Sequence, residues 1–401
     1  LLVPPGDPQA IADATVRIFK DPELASRMAV AAYEKVKDRY TVELMVSRTL
    51  EAYKDALEHF KILVTKFSSI GDIILSTEGI RALRRKFPRP GYQITFLVGL
   101  AFKEILSRNP NIDELQVCDF ANKDKGMKGF WALASRLRRS NFDMVIDLQN
   151  NRRSHLLSFC TFAPDRYGYA NNKFGFLLNR GVKDDRSFLD PVTHQFRIFK
   201  PLGIELRNPH LELFPTPQDE AAVEEFLKSQ WLSVNQKIVG MNISASPRWE
   251  SKVWPSEHMV RLFEELGRRD IRVIITGTES DRNLAATLCQ SVKNLKIIDA
   301  CGKFTINQLA CLIKRCAVYL SGDSAPLHIA ACMDTPFVAL FGPTSPERHV
   351  PPARYYAIIR RNLACSPCYK SKCSHRRCMK LITPEEVLQA IEQLLAKTSI
   401  T

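Results

Sequence analysis

The first sixty residues place apolar positions at helical spacing between polar ones. "DPQAIADATVRIF" and "DPELASRMAVAAYEKV" each offer an aspartate as N-cap and a proline at the first helical position. A third amphipathic stretch, "TVELMVSRTLEAYKDALEHF", follows without an intervening strand. At "KILVTKFSSIGDIIL" the period changes: Ile62-Leu63-Val64 reads as a buried strand, followed by a Ser/Gly turn and the helical "TEGIRALRRKF". Residues 92–98, 114–118 and 144–148 are further strands with helical pieces between them. The stretch 150–235 is less regular, with helices predicted at "HQFRIFKPLGI" and "DEAAVEEFLKSQ".

A second alternation starts at "KIVGMNIS" and runs through the strands "IRVIITG", "LKIIDAC", "AVYLSGD" and "PFVALFG", each separated from the next by a helical stretch. The chain closes on the capped helix "TPEEVLQAIEQLLAK". Strands alternating with helices imply an α/β fold with parallel sheets covered on both faces. The expected organisation is a helical extension over 1–60 and two Rossmann-like domains over 61–235 and 236–401. A cleft between the two domains would take the substrates.

Composition narrows the functional classes. A chain of 401 residues, 45% hydrophobic, suits two globular domains better than one. It has no apolar run long enough for a membrane span, and "LLVPPGDPQA" carries no secretory leader. Eleven cysteines in such a chain read as reduced thiols in cytosol rather than a disulfide framework. The net charge of +14 favours anionic partners, or serves solubility alone. Nucleic acid is disfavoured, because no single element interleaves basic and aromatic residues.

Three turns are candidates for chemistry. Ser68-Ser69-Ile70-Gly71-Asp72 follows a buried strand and opens a helix, so Asp72 is an N-terminal cap or a catalytic carboxylate. "SASPRWESKVWPSEHM" puts Lys252 in a strand-to-helix loop, as a solvated charge or a counter-charge for a diphosphate. In "SGDSAPLHIAA", Gly322-Asp323-Ser324-Ala325-Pro326 can aim several free amides at an anion. His328, one turn further on, is a packed core histidine or a ligand. Arg152 and Arg153, in "DLQNNRRSH", would meet an anionic acceptor or serve as surface charge.

"KFSSIGDIILSTEGIRALRRKFP", "SKVWP" and "GDSAPLHIAACMDTPFVALFGPTSP", in that order, resemble the signature stretches of glycosyltransferase family nine, the ADP-heptose–lipopolysaccharide heptosyltransferases. "CSPCYKSKCSHRRCMKLITPEEVL" is similar to that family's usual ending, so the resemblance spans 61–401. It implies a GT-B fold and an inverting transfer that needs neither metal nor cofactor. The donor would be a nucleotide sugar such as ADP-heptose. The acceptor would be an anionic, lipid-linked saccharide reached from the cytoplasmic face of the inner membrane.

By position the resemblance makes Asp72 the base and Lys252 the donor-phosphate contact. Asp323, Ser324 and Ala325 become the turn that holds sugar hydroxyls and phosphate, with Ser244, Gly322 and His328 beside it. Glu279 or Asp281 would take the ribose and Phe304 would flank adenine. Ser69, Gly71, Arg152 and Arg153 fall on the acceptor side. Two departures bear on donor identity: "NISAS" replaces the commoner His/Asn-Pro-Gly-Ala, and Ala325 replaces a glycine, which requires that turn to avoid positive φ. A transferase for another surface-polysaccharide sugar, or an inactive nucleotide-sugar scaffold, is the alternative.

Residues 1–60 resemble instead the carboxyl-terminal tail of a family-four glycosyltransferase. That family's donor-binding acidic motif is absent, so a second active site is not expected; a docking extension is the other reading. Cys365, Cys368, Cys373 and Cys378 form C-x2-C-x4-C-x4-C, which would bind structural zinc or remain thiols or a local disulfide.

Overall fold

The computed structural model describes residues 1–184, 190–207, 209–233, 236–292 and 297–398. Two compact units divide the chain, Leu1–Phe60 and Lys61–Thr401. The first holds three helices, α1 (Pro8–Lys20), α2 (Pro22–Arg39) and α3 (Val42–Glu58). Asp7, Asp21 and Thr41 cap them by accepting from the amides of Ala10, Leu24 and Leu44. These are the start signals visible in the sequence.

The second unit contains two six-stranded sheets. The first is built from β1 (Phe60–Thr65), β2 (Tyr92–Gly99), β3 (Glu114–Cys118), β4 (Met144–Asp147), β5 (Asp165–Ala170) and β6 (Arg180–Lys183). Helices α4 (Ile70–Lys86), α5 (Lys103–Leu106), α6 (Gly126–Arg139), α7 (Arg152–Cys160), α8 (Pro191–Phe196) and α9 (Pro217–Ser229) accompany it. The second sheet comprises β7 (Ile238–Asn242), β8 (Arg272–Thr276), β9 (Ile298–Asp299), β10 (Val318–Gly322), β11 (Phe337–Phe341) and β12 (Tyr356–Arg360). With it come α10 (Ser256–Arg268), α11 (Arg282–Ser291), α12 (Ile306–Lys314), α13 (Ala325–Cys332), α14 (Pro346–His349), α15 (Arg377–Lys380) and α16 (Pro384–Thr398).

Strand order is β3-β2-β1-β4-β5-β6 in one sheet and β12-β11-β10-β7-β8-β9 in the other. Counted from its own first strand, each sheet has the same order, and every recorded pairing is parallel. Central strands are buried over most of their length, because helices cover both faces: Leu63 pairs with Val145 and Val318 with Val239. Order reverses between β1 and β4 and between β7 and β10. A crevice opens at the carboxyl ends of strands at each such point. All of the second alternation's strands are present, although Leu295 and Lys296 of "LKIIDAC" lie outside the described residues.

The region 150–235 is more ordered than expected. It contains helix α7 and strands β5 and β6. Edge strand β6, "RGVK", is mostly exposed and polar, so it has no apolar run to announce it. "HQFRIFKPLGI" divides between α8 and a 3₁₀ segment, Arg197–Leu202, which contains Pro201 and stops at Gly203 with φ +67°.

Candidate active site

Strand β1 runs directly into the first wall of the site. Gln149, just past β4, accepts hydrogen bonds from the amides of Phe67 (2.7 Å) and Ser68 (3.2 Å), so the loops after both switch-point strands are joined. Ser69 then caps α4. Asp72, two residues into that helix, accepts from the Ser69 amide at 3.2 Å and its hydroxyl at 3.0 Å. The Lys66 ammonium lies 3.9 Å from the other Asp72 oxygen and donates to the Leu148 carbonyl at 3.1 Å. Burial acts to raise the Asp72 pKa. Lys66, the two bonds from Ser69 and His328 outweigh it and hold the carboxyl below its ordinary value. The side chain keeps 46% of its surface, so the carboxylate is ionised and reachable. Cap and reactive carboxylate, alternatives in the sequence, are both compatible with this one geometry.

The second wall comes from β7 and β10. Lys252 donates to an Asp323 carboxylate oxygen at 2.7 Å and to the Asp323 carbonyl at 3.2 Å. Its ammonium also lies 4.4 Å from the centre of the Trp249 ring. Asp323 is almost fully buried. Burial would raise its pKa, but His349 and Lys252 hold it below the usual range. Asp323 is therefore a partner of Lys252 through one carboxylate oxygen, and it lines the cleft. At the start of α13, Pro326 has no N–H and the Leu327 amide donates to the Ser324 carbonyl at 3.1 Å. The helix start thus presents the amides of Ser324 and Ala325, fewer than the sequence suggested. Ala325 does not take positive φ, as its side chain requires. The Ser324 hydroxyl is held by the Asn242 amide at 3.1 Å and by Ser321 at 3.0 Å.

The segment carrying the late cysteines straps the Lys252 loop. Ser251 donates through its hydroxyl to Lys370 (2.6 Å) and through its amide to Ser371 (3.1 Å), in each case to the carbonyl. Tyr369, from the same segment, lines the cleft. All eleven cysteines are free thiols. Among the described residues no group of three or more His, Cys, Asp or Glu side chains is gathered to hold a metal ion. Cys378 is buried, and burial followed by the neighbouring thiols raises its pKa.

His328 joins the two walls. It is 7% exposed, and a Cβ at Gly71 would lie 2.6 Å from its Cδ2. Gly71 is needed here for lack of room, at a helix-to-helix approach of α4 and α13 that no sequence pattern reveals. Burial lowers the His328 pKa against the pull of Asp323 and Asp72. Its Nδ1 has no hydrogen-bond partner. The ring is a packed neutral group at the edge of the cleft.

At the far end Glu279 and Phe304 line the cleft together with Gly302, whose φ of +68° and contact with Glu279 leave no space for a side chain. Asp281 does not line it. One of its carboxylate oxygens accepts from the Thr278 amide (2.6 Å), the Thr278 hydroxyl (2.7 Å) and the Ser244 hydroxyl (2.8 Å). Of the two acids predicted for the ribose, only Glu279 faces the cavity. Asp281 instead orients Ser244, which does line it.

Arg152 and Arg153 are likewise not brought into the cleft. They open α7 on its outer side, over the rings of Phe174 and Phe120 at 5.7 and 4.3 Å. Gly322 stands behind the lining, where a Cβ would come within 3.4 Å of the Lys252 carbonyl. The first sheet's side of the cleft also includes Gln149, Asn150, Lys173 and His194, none of them singled out in the sequence. The position of "DLQNN" at a strand end was the available signal for the first two. Beneath them Asp147 and His155, both fully buried, stand 3.7 Å apart, and His155 Nδ1 hydrogen-bonds the Lys173 carbonyl at 2.7 Å.

The cleft measures about 1380 Å³ and is lined from both sheets. That exceeds the ~300–1,000 Å³ that serves one small ligand and leaves room for two. A carboxylate on one wall faces a lysine–aspartate pair and a helix N-terminus on the other, between two Rossmann halves. This is the arrangement of a GT-B glycosyltransferase.

Residues 130–379 match the profile of glycosyltransferase family 9 (heptosyltransferase), and the chain belongs to that family. It is 26% identical over 354 residues to lipooligosaccharide heptosyltransferase 2 of Haemophilus ducreyi, covering 84% of this chain and 99% of the relative. A glycosyl transferase family 9 crystal structure from Veillonella parvula superposes with a TM-score of 0.76 at 25% identity, over 84% of this chain and 97% of that one. The structure of E. coli ADP-heptose lps heptosyltransferase II shares the fold at a TM-score of 0.68 and 22% identity, with 84% and 99% covered.

Proposed function

We propose that this glycosyltransferase moves a heptose from ADP-heptose to the anionic core saccharide of a lipopolysaccharide, with inversion and without a metal. The observation that carries the reading is the placement of Asp72 across one cleft from Lys252, Ser324 and Ala325 in a family 9 chain. The acceptor hydroxyl attacks the anomeric carbon and gives its proton to the Asp72 carboxylate. The bond from that carbon to the diphosphate oxygen breaks on the opposite face, and its electron pair leaves with the ADP. The growing negative charge falls to Lys252 and the amides of Ser324 and Ala325. Phe304 supplies a ring for the adenine, and Glu279 faces the ribose.

The acceptor end would receive the core saccharide against Gln149, Asn150 and Lys173. The enzyme would work at the cytoplasmic face of the inner membrane as a peripheral protein. In keeping with that, no helix among the described residues is long and apolar enough to cross a membrane.

The test is transfer with a panel of nucleotide sugars and a core lipid lacking heptose. ADP-heptose should be used, UDP- and GDP-sugars should not, EDTA should leave the rate unchanged, and the product should carry the opposite anomeric configuration. Use of a UDP-sugar in place of ADP-heptose would refute the reading.

A further inference from the structure

The outer face of α7 is unlike the rest of the acceptor-side half. Arg152, Leu156 and Phe159 are spaced to share one side of the helix, with Arg152 and Phe159 exposed. Phe162 follows at 60% exposure, and Phe176 projects at 81% from the turn after β5. The rings form two pairs, Phe159 with Phe162 at 6.2 Å at the end of α7 and Phe174 with Phe176 at 6.0 Å in the turn after β5. Arginines from three elements lie over them. Arg138 is 4.1 Å from the Phe162 ring, Arg166 5.7 Å from Phe159 and Arg152 5.7 Å from Phe174.

Two features mark this as more than scattered surface. None of Arg138, Arg152, Arg153 or Arg166 is paired with a carboxylate among the described residues, although most arginines elsewhere in this half are. Phe162, where α7 ends, and Phe174 also hold φ of 61° and 69°, a region unfavourable for a bulky side chain, and remain 60% and 39% exposed.

We infer that this face docks the enzyme on an anionic bilayer. The inference rests on the acceptor of the proposed reaction being carried by a lipid. Aromatic rings at the headgroup level with arginines for the phosphates are the chemistry of an interfacial surface. The unpaired positive charge selects an acidic lipid surface over a second copy of a chain that is itself basic. The face also continues into the acceptor wall: Asn150 and Lys173 line the cleft, with Arg152 two residues after the first and Phe174 directly after the second. A saccharide rising from the membrane would enter the cleft beside its own anchor.

The full chain is sedimented with phosphatidylcholine vesicles, with and without phosphatidylglycerol. Native protein should bind only the acidic vesicles. Arg138→Gln should weaken binding about fivefold, and Phe162→Asn with Phe176→Ser about tenfold or more. Asparagine suits the left-handed backbone at 162. Neither variant touches the cleft, so thermal protection by ADP should equal that of native protein. Loss of that protection in native protein would refute the functional reading instead, and the two failures are distinct. Equal binding to both vesicle types overturns the inference. So does vesicle binding that survives the phenylalanine changes, or a change of oligomeric state in those variants, which would make a second copy the occupant.

Discussion

Lys252 and Asp323 meet at 2.7 Å across the loops that follow neighbouring parallel strands, 71 residues apart in the chain. The pair is nearly buried and neutral as a whole, so an incoming diphosphate shares an ammonium that is already engaged. Lys252→Ala should weaken ADP binding and slow transfer together, by about 10²–10³ in turnover. Asp323→Asn leaves the ammonium without its counter-charge and should cost about 3 kcal/mol of stability. Calorimetric ADP titration and thermal unfolding check both. Unchanged ADP affinity in the lysine variant would contradict the assignment.

Asp72→Asn keeps an acceptor for Ser69 at the start of α4, so the helix should remain capped. Transfer should fall by about 10²–10⁴ while donor affinity stays within about twofold. Equal loss of both would show that the carboxylate serves structure and not proton transfer.

Gly71→Ala drives a methyl into the His328 ring. We expect a loss of about 1–3 kcal/mol and a drop in transfer, because the collision lies between the two walls. Adding His328→Ser makes room, and the double variant should be more stable than the sum of the single changes predicts. Chemical denaturation of the four proteins gives the coupling directly.

Two cleft histidines set a pH dependence. Burial holds His328 and His349 below the usual histidine value of 6.5, so the unfolded chain binds protons more readily than the folded one. His328 faces Asp323, Asp72, His349 and Lys252; His349 faces Asp323, Lys252, Asp72 and Arg348. The stability they contribute is complete above 6.5 and lost as pH falls through their folded values. Tm should decline between about pH 7 and about pH 5, and His328→Gln should flatten that decline. Asp72 and Asp323 are held below 3.8 and stay ionised over this range. A Tm that rises on acidification would overturn this.

Ser251→Ala removes the hydroxyl bond to the cysteine-bearing strap without touching substrate. About 1 kcal/mol of stability should go, and KM for the donor should rise more than kcat falls, because Lys252 is the neighbouring residue. A fall in kcat alone would argue against a positioning effect.

The repeating strands and most helix starts were legible because buried parallel strands are continuous apolar runs and capping uses local partners. Asp7 and Asp21 announce helices within a few residues of themselves, whereas at α4 the cap expected of Asp72 is Ser69, three residues earlier. Strand β6 was not legible, since an edge strand carrying "RGVK" has too little buried surface to impose a pattern. Within the site, positions at strand ends such as Asp72, Lys252 and Ser324 could be read, but their pairings could not. That Asp323 is engaged by Lys252, that Asp281 holds Ser244 and that Gly71 abuts His328 are relationships across 37 to 257 residues of chain. For Arg152 and Arg153 the sequence left acceptor contact and surface charge open, and neither side chain lines the cleft. A helix begins at Arg152, and both side chains are exposed, over the rings of Phe174 and Phe120.

Because both sheets share one parallel order, the strands' starting ends all point away from the gap where the chemistry takes place. Residues there, such as Gly91 before β2 and Asp270 before β8, are exposed and remote from both substrates. Labels or tags attached at those blunt ends would leave the reacting groups undisturbed.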